Sequence, residues 1–316
     1  MKKTISVLIP CYNEEDNVIP MSEAVREQFE TYLPDYHFEL IFIDNCSQDA
    51  TRVRLLQICE ADHRIKAIFN AKNFGQFNSP FHGMCQTHGD CTIAMCCDFQ
   101  DPPELIPRLV REWEKGFKIV CAIKTASREN PLVRLLRTCY YKLIKKISPV
   151  EMIEHFTGTG LYDRSFIDVL RGLDDPTPFL RGIVGELGFQ RTAITYEQQK
   201  RRAGKTHNNF FTLYDAAMLS FTSYTKAGMR LATISGFVIA FLSVLVAIVY
   251  TTLKLLYWDR FPAGNAPILI GVFLFGGMQL FFTGLLGEYI MNINTRMMHR
   301  PLVIEERRIN FEEPEN

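Results

Sequence analysis

Three short apolar segments of the chain each end in a cluster of polar residues. The clusters are Pro10-Cys11-Tyr12-Asn13-Glu14-Glu15, Asp44-Asn45-Cys46-Ser47-Gln48-Asp49 and Asp98-Phe99-Gln100-Asp101-Pro102-Pro103-Glu104. Carboxylates repel a nucleotide diphosphate unless a divalent cation lies between them, and oxygen atoms are the ligands such cations prefer. Each cluster alone is equally consistent with an ordinary loop or helix-capping role. If all three lie at one edge of a sheet, they favour a metal-assisted nucleotide site.

The segments that carry these clusters alternate with helical patterns. Strands are predicted at Thr4–Pro10, Phe38–Asp44, Lys66–Asn70, Thr92–Asp98 and Phe117–Ile123, and helices at about Met21–Tyr32, Asp49–Ala61, Gln76–His88 and Glu104–Lys115. Short apolar strands between helices indicate an α/β fold with a mostly parallel sheet covered on both faces. Ligands of such sheets bind beyond the carboxyl ends of the strands, which is where the clusters lie. Asp98 and Gln100 alternate along the chain, so an extended segment could direct both side chains to one side.

Composition and missing motifs exclude several classes of function. The sequence contains neither G-x-G-x-x-G nor G-x-x-x-x-G-K-[ST], so it predicts neither a Rossmann dinucleotide site nor a Walker loop. The 35 basic residues balance the 35 acidic ones, and no basic patch dominates, so nucleic acid is not a favoured partner. The nine cysteines lack the paired CxxC spacing of structural zinc sites and are predicted to be reduced thiols.

Two long apolar runs follow residue 230. Leu231 to Leu253 is uncharged, and a second run from Ala266 to about Ile293 contains one charge, Glu288. As a helix, a run of this length spans roughly 34 Å, enough to cross a bilayer, and we predict a two-helix transmembrane hairpin over 231–293. Two buried helices of a soluble protein are the alternative.

The basic residues near these runs predict an orientation. Six precede the first run and four follow the second, whereas the connecting loop has only Lys254 and Arg260. This bias places both termini and the domain before the first run in the cytoplasm, with the connecting loop outside, and we predict that the membrane is a bacterial inner membrane. The predicted units are a cytoplasmic catalytic domain at 1–208, juxtamembrane interfacial helices at 209–230, the hairpin at 231–293 and a cytoplasmic tail at 294–316. The segment Pro131–Ile147 is predicted to be an amphipathic helix, and the pattern is equally consistent with an ordinary helix with a solvated basic face and with membrane contact.

The order of the motifs along the chain resembles glycosyltransferase family 2. Ser6-Val7-Leu8-Ile9-Pro10-Cys11-Tyr12-Asn13-Glu14, the Asp44…Ser47…Asp49 loop, Asn73-Phe74-Gly75-Gln76 and the Asp98–Glu104 cluster carry the resemblance, which is strongest to the polyprenyl-phosphate branch of dolichyl-phosphate mannose synthases and bactoprenol glucosyltransferases. The likeness continues through Phe179-Leu180-Arg181-Gly182, Arg201-Arg202-Ala203-Gly204-Lys205-Thr206, Gly284-Leu285-Leu286-Gly287-Glu288-Tyr289-Ile290 and Arg300-Pro301. It covers nearly the whole chain.

The resemblance implies a nucleotide-diphospho-sugar transferase fold and a glycosyltransferase that moves a hexose, with inversion, from a nucleotide-diphosphate sugar (a UDP-sugar favoured) to polyprenyl (undecaprenyl) phosphate. It implies that the base and ribose are held by Pro10, Tyr12, Glu14 and Asp44. Mg²⁺ or Mn²⁺ would bind Asp98 and Gln100 together with the diphosphate. The departing nucleotide would be neutralised by Arg201, with Arg202 and Lys205 beside it. The family also suggests a homo-oligomer, and Gly277, Gly284 and Gly287 would permit close helix packing.

A phosphate acceptor changes what the catalytic residues must do. A sugar hydroxyl needs a general base, whereas a phosphate monoester with a second pKa of about 6 is already largely anionic at neutral pH. Arg128 and Arg181 are candidates to bind that phosphate, since arginine matches phosphate geometry, although each is equally consistent with a surface ion pair. Asp101 could assist as a base, but this chemistry does not require one.

Two departures from the family pattern keep alternatives open. Cys96-Cys97-Asp98 stands where Asp-x-Asp is frequent, and Thr157-Gly158-Thr159-Gly160-Leu161 replaces the frequent Gly-Asp-Phe-Arg-Leu. These changes are also consistent with a non-catalytic membrane protein that binds nucleotide sugar or lipid. Gln198-Gln199-Lys200-Arg201 matches the start of the Gln-x-x-Arg-Trp motif of processive polysaccharide synthases, but position 202 is arginine and two spans are too few to line a polymer channel.

Overall fold

The computed structural model describes residues 2–126, 153, 155–203, 218–219, 221–223, 227–257, 266–298 and 300–311. Arg128, Lys205 and the helix predicted at Pro131–Ile147 lie outside the described residues, as does most of the predicted interfacial segment at 209–230.

Eight described strands form one mixed sheet. The strands are β1 (Thr4–Cys11), β2 (His37–Asp44), β3 (Ile65–Asn70), β4 (Cys91–Ala94), β5 (Ile119–Ala126), β6 (Phe156–Asp163), β7 (Arg191–Glu197) and β8 (Glu305–Ile309), in the spatial order β7-β5-β6-β4-β1-β2-β3-β8. Only β6 and β8 run antiparallel to their neighbours among these strands. The predicted α/β nucleotide-sugar transferase fold with a mostly parallel sheet is confirmed.

Helices cover both faces of the sheet. They are α1 (Val18–Tyr32), α2 (Thr51–Ala61), α3 (Gly75–Cys85), α4 (Leu105–Glu114), α5 (Arg164–Arg171) and α6 (Leu180–Glu186). The apolar side chains of α1, α2 and α4 pack into a core on one face, and those of α3, α5 and α6 pack into a second core on the other. Ile5, Val7 and Ile9 of β1 point into the first core while Leu8 points into the second. Burial on both faces explains why the central strands β1 and β2 are mostly apolar.

Both apolar runs near the C-terminus are helical. Helix α7 spans Ala227–Leu256 and helix α8 spans Ala266–Met297, and the two helices contact each other. Within the residues that the structure describes, neither these nor the other helices reach the combined length and apolar character that crossing a membrane requires. The transmembrane hairpin at 231–293 and the division of the chain into four units therefore stay predictions.

The segment after α8 returns to the sheet. Strand β8 pairs antiparallel with β3 at the edge of the sheet, and the Ala71 amide donates to the Ile304 carbonyl at 2.9 Å. Val303 is buried, and the Asn310 side chain donates to the carbonyls of Cys59 and Ile65 at 2.7 and 2.8 Å. Part of the predicted cytoplasmic tail is thus a strand of the catalytic sheet.

Candidate active site at the carboxyl edge of the sheet

Parallel pairing places the three polar clusters at one edge of the sheet. Cys11 at the end of β1 is opposite Asp44 at the end of β2, and the Asn45 amide donates to the Cys11 carbonyl at 3.0 Å. Strand β4 lies on the other side of β1 and ends at Ala94, opposite Leu8. Because β4 stops earlier than predicted, the residues from Met95 onward form a loop along this edge, and Asp98 lies in that loop.

Each cluster contains one residue with a left-handed backbone. The φ angles are 54° at Asn13, 66° at Cys46 and 61° at Phe99. Such a conformation costs a residue with a side chain about 1–2 kcal/mol and is kept only when its surroundings hold it in place. Residues of this kind concentrate at functional sites, and here they turn the chain sharply just beyond three neighbouring strands.

Hydrogen bonds join the first two clusters. The Asn13 amide donates to the Ser47 hydroxyl at 2.8 Å, and the Gln48 amide donates to the Asn13 side-chain oxygen at 2.8 Å. The Glu14 amide donates to the Thr51 hydroxyl at 2.9 Å. These bonds satisfy backbone donors that the turns expose and fix the two loops relative to each other.

Asp44 is fully buried and held from two directions. Both of its carboxylate oxygens accept from the Ser47 amide at 3.2 Å, and one accepts from Arg52 Nε at 2.8 Å. A buried carboxylate is stable only when it is paired and hydrogen-bonded in this way. The carboxylate therefore has a fixed orientation at the end of β2.

Asp98, Arg201 and Glu14 come together from three parts of the chain. Arg201 follows β7, and its Nη2 lies 2.9 Å from Asp98 Oδ2, while its Nη1 lies 3.9 Å from Glu14 Oε1. Asp98 is buried with its other oxygen accepting from the Gln100 amide at 3.1 Å. Burial raises the pKa of the Glu14 carboxyl above its ordinary value, against the opposing effects of the Asn17 hydrogen bond and the Arg201 charge. Two acidic groups thus share one arginine at the predicted site.

Asp101 is buried beneath this group and is fully engaged. One oxygen accepts from the Thr159 hydroxyl of β6 at 2.6 Å, and the other accepts from the Tyr196 hydroxyl of β7. Burial and the charge of Asp101 both raise the pKa of Tyr196, so its hydroxyl keeps its proton and donates. These contacts tie the Asp98 loop to β6 and β7, so Asp101 here acts on the geometry of the loop.

The remaining predicted residues have different positions. Pro10 and Tyr12 lie half-buried at the end of β1, and Arg202 is exposed with its guanidinium 5.3 Å from the centre of the Phe99 ring. Arg181 lies on α6, its guanidinium 5.9 Å from the Phe179 ring.

The local geometry around Asp98 differs from the prediction. An extended segment was expected to direct Asp98 and Gln100 to one side, which is wrong because the left-handed Phe99 places a turn between them. As a result the Gln100 backbone amide, rather than its side chain, approaches the Asp98 carboxylate. The turn is closed further by the Gln199 and Arg202 amides, which donate to the carbonyls of Gln100 and Asp98 at 3.2 Å each.

Sequence reasoning missed three residues of the site. Arg52, Thr159 and Tyr196 hold the carboxylates of Asp44 and Asp101. Thr159 lies in the segment that replaces Gly-Asp-Phe-Arg-Leu, and the other two belong to no recognisable motif. Arg52 lies eight residues after Asp44, on helix α2, which follows the second cluster. This short spacing was the one signal in the sequence that could have linked the two residues. Thr159 and Tyr196 lie on strands that the sequence did not predict.

Similarity to known proteins extends over most of the chain. The model of glycosyl transferase family 2 matches residues 6–170. Two relatives are the bactoprenol glucosyl transferase of Shigella phage SfV, 30% identical over 301 residues, covering 95% of this chain and 97% of that protein, and the prophage bactoprenol glucosyl transferase homolog of Escherichia coli K12, 30% identical over 309 residues, covering 96% and 98%.

A solved structure gives a more distant likeness. The crystal structure of glucosyl-3-phosphoglycerate synthase from Mycobacterium tuberculosis, in complex with Mn²⁺, UDP and glucosyl-3-phosphoglycerate, is 17% identical, with a TM-score of 0.45 over 70% of this chain and 78% of that one. The family match covers more than half of the sequence, and the phage relative aligns along nearly all of it. The chain belongs to glycosyltransferase family 2 and is a glycosyltransferase.

Proposed function

We propose that this enzyme transfers a hexose, with inversion, from a nucleotide-diphosphate sugar, most favourably a UDP-sugar, to polyprenyl phosphate such as undecaprenyl phosphate. The reaction takes place at the cytoplasmic face of a bacterial inner membrane. One observation carries the proposal: Arg201 lies 2.9 Å from the buried Asp98 at the edge of the sheet where such folds bind ligands. Relatives named bactoprenol glucosyl transferases, which align with 95% and 96% of the chain, support the choice of acceptor.

The donor set at Asp98 fits a divalent cation that is shared with a diphosphate. Among the described residues, there is no group of three or more His, Cys, Asp or Glu side chains that could hold a metal ion by itself. Mg²⁺ commonly binds one or two carboxylates together with substrate phosphates, so a single buried carboxylate suffices when the diphosphate supplies further oxygens. Asp98 would hold Mg²⁺ or Mn²⁺, and the Gln100 side chain would have to turn toward the cation to act as a further ligand. The bound cation would neutralise charge on the leaving diphosphate.

Arg201 supplies the second positive charge. Its fork of donors matches phosphate oxygens, and it stays charged at all working pH values. It would exchange its contact with Asp98 for one with the nucleotide diphosphate and stabilise the charge that develops as the bond to the sugar breaks. Arg202, which is exposed beside the turn at Phe99, and Lys205 would add further positive charge.

The acceptor brings its own nucleophile. An oxygen of the lipid phosphate forms the new bond to the anomeric carbon while the bond from that carbon to the diphosphate oxygen breaks, and the products are a polyprenyl-phosphate sugar and a nucleoside diphosphate. The attacking oxygen is already largely anionic because its second pKa is about 6. The engagement of both Asp101 oxygens with hydroxyl donors agrees with a reaction that needs no general base. Arg128 and Arg181 would attract the lipid phosphate.

Helices α7 and α8 would hold the site at the membrane. Large apolar side chains on both helices face outward, with Phe237 75% and Leu280 74% exposed. A surface of this size and character marks an interaction with lipid or protein. A polyprenyl tail stays in the bilayer, so an enzyme that acts on its headgroup must be held there.

A radiolabelled donor assay in membranes tests the proposal. Membranes containing the full chain are incubated with labelled UDP-glucose, other UDP-sugars or GDP-mannose, with Mg²⁺ or Mn²⁺ present. We expect lipid-extractable label that mild acid releases as free sugar. Long polymer would instead indicate a processive synthase, and the absence of product with every donor would indicate a non-catalytic binder.

A further inference from the structure

Strand β8 is connected to the predicted nucleotide site by two ion pairs that share Arg52. Arg52 lies on α2 with Nε 2.8 Å from Asp44 Oδ2 and Nη1 2.9 Å from Glu306 Oε2. Its Nη2 also donates to the Asn70 carbonyl at the end of β3, at 2.9 Å. One guanidinium therefore joins the buried carboxylate at the end of β2 to a residue more than 250 positions later in the sequence.

An irregularity in β8 directs Glu306 toward Arg52. Phe69 is opposite Arg307 and Asn70 is opposite Glu305, so Glu306 is an extra residue on the tail strand. Such a bulge breaks the alternation of side chains and re-aims one of them. Glu305 and Arg308 both face α3, where they contact His82 and Gln86.

The opposite side of β8 carries the other two charged residues. Glu306 and Arg307 both point toward the face of the sheet that α2 covers: Glu306 contacts Arg52, and the guanidinium of Arg307 lies 4.9 Å from the Phe69 ring. The guanidinium of Arg52 lies 5.4 Å from the same ring. Without the bulge, strand alternation would place Glu306 and Arg307 on opposite faces, and one of these contacts would be lost.

From this geometry we infer that β8 contributes to binding of the donor and that Glu306 is a positioning residue for Asp44. Glu306 holds one end of the Arg52 fork, so that the other end fixes the Asp44 carboxylate in the orientation that receives the ribose or base of a nucleoside diphosphate. The inference rests on the proposed function. Because β8 follows α8 in the chain, this role would also connect the end of α8 directly to the residues proposed to bind the nucleotide.

The structure provides a matched control within the same strand. Glu305 precedes Glu306 and bonds to His82 at 2.5 Å and to Arg308, but these contacts lie on the α3 face, away from Asp44. Glu305→Gln and Glu306→Gln each remove one charge from the docking of β8. Only Glu306→Gln removes a carboxylate that contacts Arg52.

Calorimetric titration of UDP and GDP into the purified full chain, with Mg²⁺ or Mn²⁺, tests the inference. We expect Glu306→Gln to raise the Kd of the bound nucleotide about three- to fivefold, the range expected for a half-exposed ion pair, with kcat nearly unchanged. Glu305→Gln should leave the Kd at the wild-type value. Thermal unfolding of both variants verifies that each is folded.

The same substitution made in an Arg52→Lys variant shows whether Glu306 acts through Arg52. Arg52→Lys replaces the two separate nitrogens, Nε and Nη1, that contact Asp44 and Glu306 by a single nitrogen on a shorter side chain. Adding Glu306→Gln to that variant should therefore change the Kd by much less than it does in the wild type. An unchanged Kd in Glu306→Gln, an equal loss in Glu305→Gln, or a full effect in the Arg52→Lys background would each overturn the inference alone. If the wild-type chain binds neither nucleotide, the proposed function fails as well.

Discussion

At the residue scale, the contact between Asp98 and Arg201 decides how the site works. In the structure the two side chains neutralise each other, and in the proposed reaction each would turn to a different part of the donor. Asp98 is buried, so its charge has a high cost unless a cation or arginine compensates it. The pair keeps the site electrically balanced before the donor binds.

Replacement of Asp98 by alanine should abolish transfer. The variant removes the one buried carboxylate proposed to share a metal ion with the diphosphate, and loss of such charge stabilisation costs about 100-fold or more in kcat. Labelled product in lipid extracts measures the effect, and binding to membranes shows that the protein is still made and folded. Cys96→Ala is the control, since Cys96 is exposed in the same loop and carries no carboxylate, and it should stay active. Full activity of Asp98→Ala would remove the metal assignment.

Replacement of Arg201 by glutamine or lysine should distinguish the effect of its charge from the effect of its planar donor geometry. Arg201→Gln is expected to lower kcat about 10- to 100-fold, and Arg201→Lys should fall between that variant and the wild type because it keeps a charge but loses the fork. Lys200→Gln serves as the control, since Lys200 is the exposed neighbour. Steady-state rates at saturating donor provide the comparison. Equal rates for Arg201→Gln and the wild type would rule out the role given to Arg201.

The sequence predicted the residues of this site better than their contacts. Asp98, Glu14 and Arg201 are brought together as the motifs implied, because parallel strands end at one edge. The turn at Phe99 was not predictable, since a left-handed phenylalanine is held by its surroundings and not by its own preference. Arg52 and Tyr196 were missed because pairing of buried carboxylates depends on long-range packing that no local motif encodes.

At the element scale, the sequence identified the strands that are apolar throughout. Strands β1, β2 and β3 were placed within a few residues, because burial on both faces leaves a continuous apolar signal. Four of the five residues of strand β8 are charged: Glu305, Glu306, Arg307 and Arg308. It lies at an edge, where charged side chains are normal, so its composition resembled a solvated tail.

The docking of β8 should weaken in acid. Burial alone raises the pKa of Glu305, but hydrogen bonds from His82 and Arg308 outweigh it and lower the pKa to about 2. A carboxyl whose pKa is lowered on folding adds stability above its unfolded pKa of about 4.5, and loses it as the pH falls from there toward 2. We expect about 1–2 kcal/mol of stability to disappear over this range.

Denaturant unfolding at several pH values between 7 and 3 measures this change. Glu305→Gln should remove the part of the acid-dependent loss that comes from Glu305, so that the stability difference between the variant and the wild type narrows as the pH falls. Glu306→Gln retains Glu305 and its partners and should keep the wild-type slope. A parallel loss of stability in Glu305→Gln and the wild type would show that the Glu305 contacts do not hold the strand.

At the scale of the whole molecule, the chain leaves the catalytic sheet through α7 and α8 and returns to it through β8. Asn292 near the end of α8 donates to the Thr222 and Ser223 hydroxyls at 3.0 and 3.3 Å, which joins α8 to residues that precede α7. Among the residues that the structure describes, no atom lies within 4 Å of a Cβ added at Gly277, Gly284 or Gly287. The predicted homo-oligomer stays a prediction.

Membrane attachment and its orientation can be tested together. The full chain should stay with membranes during an alkaline carbonate wash, because its exposed apolar side chains have no other cover in the structure described. A Tyr257→Cys substitution at the end of α7 should react with a membrane-impermeant thiol reagent added outside intact cells, since the adjoining loop is predicted to face outward. An added cysteine at the exposed Arg300 should react only after the cells are permeabilised. The reverse pattern would contradict the orientation.

The central claim is that a lipid phosphate, already ionised, attacks the donor at the Asp98–Arg201 edge without a protein base. The most direct test compares purified full chain acting on undecaprenyl phosphate and on undecaprenol, with a labelled nucleotide sugar and Mg²⁺ or Mn²⁺ present. We predict rapid transfer to the phosphate and none to the alcohol, with a rate that declines as the pH falls below the phosphate pKa of about 6. Comparable transfer to the alcohol, or no transfer to the phosphate with any donor, would contradict the account.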